Sequence, residues 1–150
     1  MIPESQYIES TIIVRDMRLP QEVTLTRASL IRWLALALGL INPNESRKSL
    51  IDLVEIMLNN QLKARKGMSV EEIMEKMRVA GKTCSEKTVR YHLLRMEKKG
   101  VVRRKNKEYS FVISDLDDVG IESIADSYDA RYKNAMEKVR MALSALKGMY

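Results

Sequence analysis

The chain has 150 residues, which is enough for one domain with an extension or for one subunit of an intimate dimer. Of these residues, 45% are apolar and 31% are charged, and the net charge is +6. Cys84 is its only cysteine and His92 its only histidine, which excludes an intrachain disulfide framework and a metal site built on several thiolates or imidazoles. Without a glycine-rich phosphate loop, a Cys–His pair suggesting a nucleophile or a dense carboxylate cluster, we expect no catalytic residues, no metal and no cofactor.

Nothing in the sequence indicates export or membrane insertion. The N-terminus lacks the basic start and apolar core of a secretory signal. The most apolar run, residues 30–41, contains Arg32 and is shorter than the roughly 20 residues that span a bilayer. We therefore expect a cytoplasmic protein with no membrane partner.

Residues 1–44 are predicted to form an N-terminal arm and a first helix that serve packing or dimerisation. The β-branched run Thr11–Val14 and the segment Glu22–Leu25 are predicted as short strands. Thr26 is a suitable N-cap for a helix to about Leu40, which the following Asn-Pro-Asn sequence ends. Apolar residues cover several faces of this helix, which indicates burial in the subunit or at a subunit interface. They are Leu30, Ile31, Trp33, Leu34, Leu36, Leu38 and Leu40.

Two further helices are predicted before the most basic part of the chain. The first spans residues 45–65, with Gly67 closing it. The second begins at Ser69, because Ser69 and Glu72 have the spacing of a capping box, and Gly81 breaks it.

The next predicted elements are a helix over residues 85–99, with Gly100 as its stop, and two strands at 101–104 and 109–113. Helices followed by a basic two-stranded hairpin are typical of a winged helix-turn-helix. We therefore predict a mainly α fold with a small β-hairpin wing (α+β), in which residues 45–114 form a DNA-binding domain.

Positive charge is concentrated between Arg78 and Lys107. This segment carries eleven Lys or Arg and two Glu, a local charge of +9, whereas the rest of the chain carries −3. Such a patch is the expected footprint of a phosphate-binding surface, and a merely solvated, lysine-rich face would have the same composition.

The predicted helix over residues 85–99 has two distinct faces. At about 100° per residue, Val89, Leu93 and Met96 share one face, with His92 at its margin. An α-helix fits the DNA major groove, where arginine bonds guanine bidentately and an apolar side chain contacts the thymine methyl. The opposite face of this helix carries Lys87, Arg90, Tyr91, Leu94 and Lys98.

The segment Thr88–Val102 resembles the recognition helix and first wing strand of the winged helix-turn-helix superfamily, in its Thr-Val, His-Leu and Gly-Val pairs. It is similar to transcription regulators of the ArsR and MarR kinds, over about Arg47–Ile113. The paired thiolates of metal-sensing members are absent. The resemblance and the helix faces together predict DNA contacts from the recognition helix by Ser85, Lys87, Thr88, Arg90, Tyr91, Leu94, Arg95 and Lys98. The predicted wing contacts, in the range 101–113, are Arg103, Arg104, Lys105 and Lys107.

Residues 115–150 are predicted to form a long helix, from Asp115 to about Lys147, for dimerisation. Its apolar residues repeat at alternating spacings of four and three, which is the a/d seam of a coiled coil. The seam consists of Ile121, Ala125, Tyr128, Tyr132, Ala135, Val139, Ala142 and Leu146. An amphipathic helix that packs back on its own subunit is the alternative.

These observations predict a homodimeric transcription regulator, cytoplasmic and nucleoid-associated, that binds double-stranded DNA in a sequence-specific way. Two alternatives stay open: a winged-helix module that docks on a transcription or replication assembly, and a chromatin or plasmid-maintenance protein of low DNA specificity. His92 and Cys84 are interpreted as structural residues rather than ligand or redox sensors.

Overall fold

The computed structural model describes residues 2–45, 48–112 and 123–150. The chain divides into two compact units, one ending at Phe111 and the other running from Val112 to Tyr150. The described elements are the helices α1 (Arg27–Ala37), α2 (Lys48–Ala64), α3 (Val70–Val79), α4 (Glu86–Lys98) and α5 (Ser123–Lys147), and the strands β1 (Val102–Lys105) and β2 (Glu108–Phe111). The predicted α+β fold, mainly helical with one antiparallel hairpin, is confirmed.

The two strands predicted in the N-terminal arm are wrong. Residues 11–14 have no regular structure, and Gln21–Leu25 form a short 3-10 helix, as do Glu4–Tyr7. The β-branched run has no neighbouring strand within the described part of the chain, and a strand without a partner cannot satisfy its backbone groups.

Arg15 fixes the arm to the end of α1. Its backbone N–H donates to the Ala37 carbonyl (2.7 Å), and its guanidinium donates to the carbonyls of Leu36 (2.6 Å) and Ile41 (2.9 Å). These carbonyls lie at or just beyond the C-terminus of α1, where backbone acceptors lack partners within the helix. A side chain remote in sequence therefore completes the end of this helix.

The end of α1 differs from the prediction. Thr26 is the N-cap, as expected, and accepts from the Ser29 N–H (3.1 Å). However, α1 ends at Ala37 rather than near Leu40, because Gly39 adopts a left-handed conformation (φ +71°). Ile13 of the arm packs so closely there that a Cβ on Gly39 would lie 2.7 Å from the Ile13 Cγ2.

The predicted capping box of α3 is confirmed, and α4 begins directly after Ser85, where its start was predicted. Ser69 and Glu72 form the reciprocal capping box at the start of α3. The Ser85 hydroxyl accepts from the Thr88 N–H at the start of α4 (3.1 Å). Gly100 follows α4 in a left-handed conformation, as expected of a helix-ending glycine.

Gly67 does not close α2, contrary to the prediction. The left-handed residue after this helix is Arg65, whose N–H donates to the Gln61 carbonyl (2.9 Å). Gly67 instead lies against the backbone of β2, and a Cβ there would be 2.8 Å from the Tyr109 carbonyl oxygen. The next residue, Met68, pairs with Tyr109 through two backbone hydrogen bonds of 3.0 and 2.8 Å. The loop between α2 and α3 thus pairs with β2 through a single antiparallel bridge.

The core of the first unit lies between α2, α3, α4 and the hairpin. Burial of this apolar surface stabilises the fold at about 25 cal/mol per Å². The side chains with almost no exposure include Leu53, Met57, Met68, Ile73, Met77, Val89, Leu93, Met96 and Val102. His92 is also fully buried rather than at the margin of the core, because its Nε2 finds a hydrogen-bonding partner in the Ser49 hydroxyl of α2 (2.9 Å).

The hairpin is attached to α2 by a side-chain amide. Gln61 Nε2 donates to the Phe111 carbonyl (3.2 Å), and Gln61 Oε1 accepts from the Phe111 N–H (2.8 Å). Within the hairpin, Val102 pairs with Phe111 and Lys105 with Glu108. The two residues of the turn, Asn106 and Lys107, both have positive φ, as a type I′ turn requires. The wing is therefore held by backbone pairing on one side and by α2 on the other.

The second unit contains α5. It ends at Lys147, as predicted, and its predicted first residues, from Asp115, lie outside the described residues. Tyr128 is buried, and the Arg131 guanidinium lies over its ring, 4.4 Å from the centroid. From Glu137 to Tyr150 every side chain is exposed.

We predict that Gly67→Ala destabilises the protein by about 1–3 kcal/mol, because the added methyl group meets the Tyr109 carbonyl, which is held by its hydrogen bond to the Met68 N–H. Thermal unfolding should show a lower midpoint, by about 2–4 °C per kcal/mol in a chain of this size. Gly148→Ala is the control, since its Cβ would have an ordinary 3.5 Å contact. Equal midpoints for Gly67→Ala and the wild type would contradict the prediction.

Candidate nucleic-acid interface

Helix α4 has one buried face and one solvent-exposed face. Val89, His92, Leu93 and Met96 are buried. The five residues predicted for the opposite face are all exposed, with Tyr91 and Leu94 at 50% and 51%. Three cations thus surround one aromatic and one aliphatic side chain, and we call this set the recognition face. It consists of Lys87, Arg90, Tyr91, Leu94 and Lys98.

Three of the predicted contact residues of α4 lie outside the recognition face. Thr88 and Arg95 are half-buried, at the margin between the two faces of the helix. The hydroxyl of Ser85 caps the helix and also donates to the Thr88 Oγ1 (2.9 Å). Both hydroxyl groups are thus engaged at the start of the helix, and the N-terminal backbone amides are the groups that this end can offer to a phosphate.

A further cation, Lys99, lies beyond the C-terminus of α4 and was not among the predicted contacts. Burial lowers the pKa of the Lys99 ammonium, and the positive charges of Arg95 and then Arg15 lower it further. Arg15 belongs to the N-terminal arm, so the fold brings an arm cation close to the recognition helix. Sequence spacing carries no signal of this approach, because the residues are far apart along the chain.

The wing carries the second group of predicted contacts, all of them exposed. Arg103, Arg104 and Lys105 occupy β1, and Lys107 lies in the turn. Arg104 lies over the ring of its cross-strand neighbour Tyr109, 5.6 Å from the centroid, which is a cation–π contact. The recognition face and the wing belong to the same compact unit, whose acidic groups nearest in sequence are Glu86, Glu97 and Glu108.

Two ion pairs distinguish α3 from α4. On α3, Arg78 donates to Glu75 through Nε (3.0 Å) and Nη2 (2.6 Å), and this pairing lowers the pKa of the Glu75 carboxyl. On α4, the nearest approach of Arg90 to Glu86 is 3.7 Å, which is beyond hydrogen-bond distance. The Glu75–Arg78 pair of α3 is thus hydrogen-bonded, whereas the Glu86–Arg90 pair of α4 is only close in space.

Cys84 lies just before α4 and is half-buried. Burial raises the pKa of its thiol, and the negative charge of Asp52 raises it further. Asp52 also lies 3.5 Å from the Lys82 ammonium. A thiol in this environment has little thiolate at neutral pH, which fits the interpretation of Cys84 as a structural residue.

Among residues 2–45, 48–112 and 123–150, no group of three or more His, Cys, Asp or Glu side chains is placed to hold a metal ion. Over the same residues, no helix has the length and apolar character that crossing a membrane requires.

The predicted seam on α5 is exposed along most of its described length. Ala125, Tyr132, Val139, Ala142 and Leu146 are exposed, and Ala135 is half-buried. Tyr128 is buried within the chain, and Ile121 lies outside the described residues. Self-association through this seam stays a prediction.

A family model for the winged-helix domain of ribonuclease R matches residues 54–110, from within α2 almost to the end of β2. No curated protein and no solved structure matches the chain. The match supports the winged-helix fold, whereas similarity to the ArsR and MarR regulators is not confirmed. A winged-helix domain indicates nucleic-acid binding or protein interaction.

We predict that Cys84 reacts slowly with an alkylating reagent at neutral pH, and that its rate rises only above the pH at which a free cysteine reacts, because its raised pKa keeps the thiol protonated. A pH profile of the alkylation rate measures this. Asp52→Asn should shift the profile to lower pH, though not as far as free cysteine, since burial remains. The exposed control Asp129→Asn should leave it unchanged. A wild-type profile at or below that of free cysteine would contradict the prediction.

Proposed function

We propose that the protein binds double-stranded DNA in a sequence-specific way, as a homodimeric transcription regulator, with α4 in the major groove. The observation that carries this proposal is the recognition face of α4, where three exposed cations surround exposed Tyr91 and Leu94. Buried Val89, Leu93 and Met96 orient this face away from the core.

The chemistry of the recognition face suits base edges in B-form DNA. Arg90 can donate bidentately to guanine, and Leu94 can contact a thymine methyl group. Lys87 and Lys98 can neutralise phosphates at the sides of the groove. The wing cations Arg103 and Lys105 suit the adjacent backbone or the minor groove.

Duplex DNA is a better target than duplex RNA for this helix. The matching family model describes a domain of a ribonuclease, so RNA is the alternative target that this match suggests. However, the major groove of A-form RNA is too deep and narrow for side chains to read. A helix that presents an aromatic and an aliphatic side chain between cations fits the wide major groove of B-form DNA.

Dimerisation would give two recognition helices for a palindromic site, with half-sites about 34 Å apart. The exposed apolar residues of α5 supply the surface for it, because a seam with Tyr132, Val139 and Leu146 in water is more stable against a second copy. This arrangement supports the proposal of a homodimer.

We expect that wild-type protein, in a selection of bound duplex fragments at two salt concentrations, enriches a palindrome. The double variant Arg90→Ala, Tyr91→Ala should lose the enrichment, because it removes about 1–3 kcal/mol of discrimination for each bidentate base contact. The matched control Leu62→Ala, Lys63→Ala removes an exposed apolar residue and a cation from α2 and should keep the motif.

The same selection distinguishes the alternatives. Uniform binding whose log affinity falls by about 0.9 per phosphate contact for each unit of log salt would contradict sequence reading and favour a low-specificity DNA-binding protein. Tighter binding to the same sequence as duplex RNA would contradict the choice of DNA. No binding at low salt would favour a protein-docking module.

We expect a dimeric mass by light scattering at micromolar concentration, and we expect Val139→Glu to weaken the dimer by about 3–5 kcal/mol because it buries an unpaired charge in the seam. Ser144→Glu places the same charge on the opposite, exposed face of α5 and should leave the mass dimeric. Circular dichroism verifies that both variants stay helical. A monomeric wild type, or equal effects of the two substitutions, would contradict the seam.

A further inference from the structure

The first residue of α4 is a carboxylate on an otherwise cationic surface. Glu86 is exposed and lies one helical turn before Arg90, and the nearest oxygen and nitrogen of their side chains are 3.7 Å apart. The two side chains are 55% and 51% exposed. For a helix that only attracts phosphates, an anion at this position weakens binding, since it repels the DNA backbone.

The geometry of this pair leaves both groups able to bond to a third molecule. The Glu75–Arg78 pair of α3 uses two nitrogens and both carboxylate oxygens in hydrogen bonds of 2.6 and 3.0 Å. The nearest nitrogen and oxygen of the Glu86–Arg90 pair are too far apart for a hydrogen bond, so the pair does not use the hydrogen-bonding capacity of either group. Four residues of helix rise about 6 Å, which is comparable to one or two base-pair steps.

The chemistry of the two groups selects the bases they can contact. A carboxylate only accepts hydrogen bonds. In the major groove, guanine offers two acceptors, thymine offers an acceptor and a methyl group, and adenine places its N7 acceptor beside its N6 donor. Cytosine offers the N4 donor with no acceptor of its own beside it, so it is the base that a carboxylate contacts without repulsion. Guanine, with O6 and N7, is the base that suits an arginine.

We propose that Glu86 and Arg90 act together as a specificity pair that reads neighbouring C·G base pairs in the major groove. The Glu86 carboxylate accepts a hydrogen bond from cytosine N4, and the Arg90 guanidinium donates to guanine O6 and N7. This inference rests on the proposed binding of duplex DNA and adds the identity of the bases at the N-terminal end of α4. The repulsion between Glu86 and phosphates then acts against non-cognate sites, where no cytosine amine compensates for it.

Glu86 also has a structural role that the test must separate from base reading. An anion in the first turn of a helix is stabilised by the helix dipole, and Glu86 occupies that turn. Loss of this role changes stability and leaves base preference unaltered. A change in which base is preferred therefore reports base contact alone.

The experiment is a selection of bound duplexes from a randomised pool with the wild type and with Glu86→Gln. We expect the wild type to enrich a cytosine next to a guanine whose enrichment disappears in Arg90→Ala. Glutamine presents a donor beside its acceptor, which matches adenine N6 and N7, so Glu86→Gln should change the preferred base from cytosine to adenine. The ratio of affinities for the two sequences should change by roughly 5- to 150-fold.

Two variants control for the loss of one negative charge. Glu97→Gln removes the other carboxylate of α4, roughly 16 Å further along the helix, and Glu75→Gln removes the one paired on α3. Both should keep the cytosine preference while binding random duplex at least as tightly as the wild type. Thermal unfolding establishes that each variant is folded.

The outcomes separate this inference from the proposed function. A wild-type motif without cytosine beside the Arg90-dependent guanine, or a cytosine preference unchanged in Glu86→Gln, would overturn the specificity pair and leave DNA binding intact. An equal change of preference in Glu97→Gln would assign the effect to net charge and also overturn it. If the wild type enriches no motif, the proposed function fails and this inference fails with it.

Discussion

The structure of the candidate interface depends on the burial of one face of α4 against α2 and α3. Val89, Leu93 and Met96 are almost completely removed from water, and His92 is hydrogen-bonded to Ser49 beside them. Because a helix has a fixed angular period, burial of these residues determines which side chains point outward. The exposed position of Lys87, Arg90, Tyr91, Leu94 and Lys98 is therefore a consequence of core packing rather than of any interaction among themselves.

The parts of the fold that local chemistry determines could be predicted from the sequence, and those that depend on distant contacts could not. Ser69, Ser85 and Gly100 act on the few residues beside them, so the capping box of α3 and the start and end of α4 follow from the sequence alone. The end of α1 depends on Arg15 and Ile13 of the arm, which no spacing rule connects to it. The prediction of strands in the arm was wrong for the same reason, since residues of high β propensity form a strand only beside a partner strand.

The same distinction applies to the candidate site. The recognition face followed from helical periodicity, and the described exposure of its residues agrees with that reasoning. The sequence could not predict that Arg15 lies close to Lys99, or that the side chains of Glu86 and Arg90 lie 3.7 Å apart. The role of Gly67 could not be predicted either. The sequence indicated that Gly67 ends α2, whereas in the structure its missing Cβ lets the loop lie against Tyr109.

The separation of the two faces of α4 has a consequence for how such a protein diverges. Side chains on the exposed face contribute little to the free energy of folding, since surface substitutions usually change it by less than about 0.5 kcal/mol. Val89, Leu93 and Met96, by contrast, tolerate little change in volume, because cores are close-packed. After a gene duplication, the exposed face of one copy can therefore change its chemistry by successive substitutions without a stabilising change elsewhere. The stability of the fold and the chemistry of the exposed face thus depend on different residues of the same thirteen-residue helix.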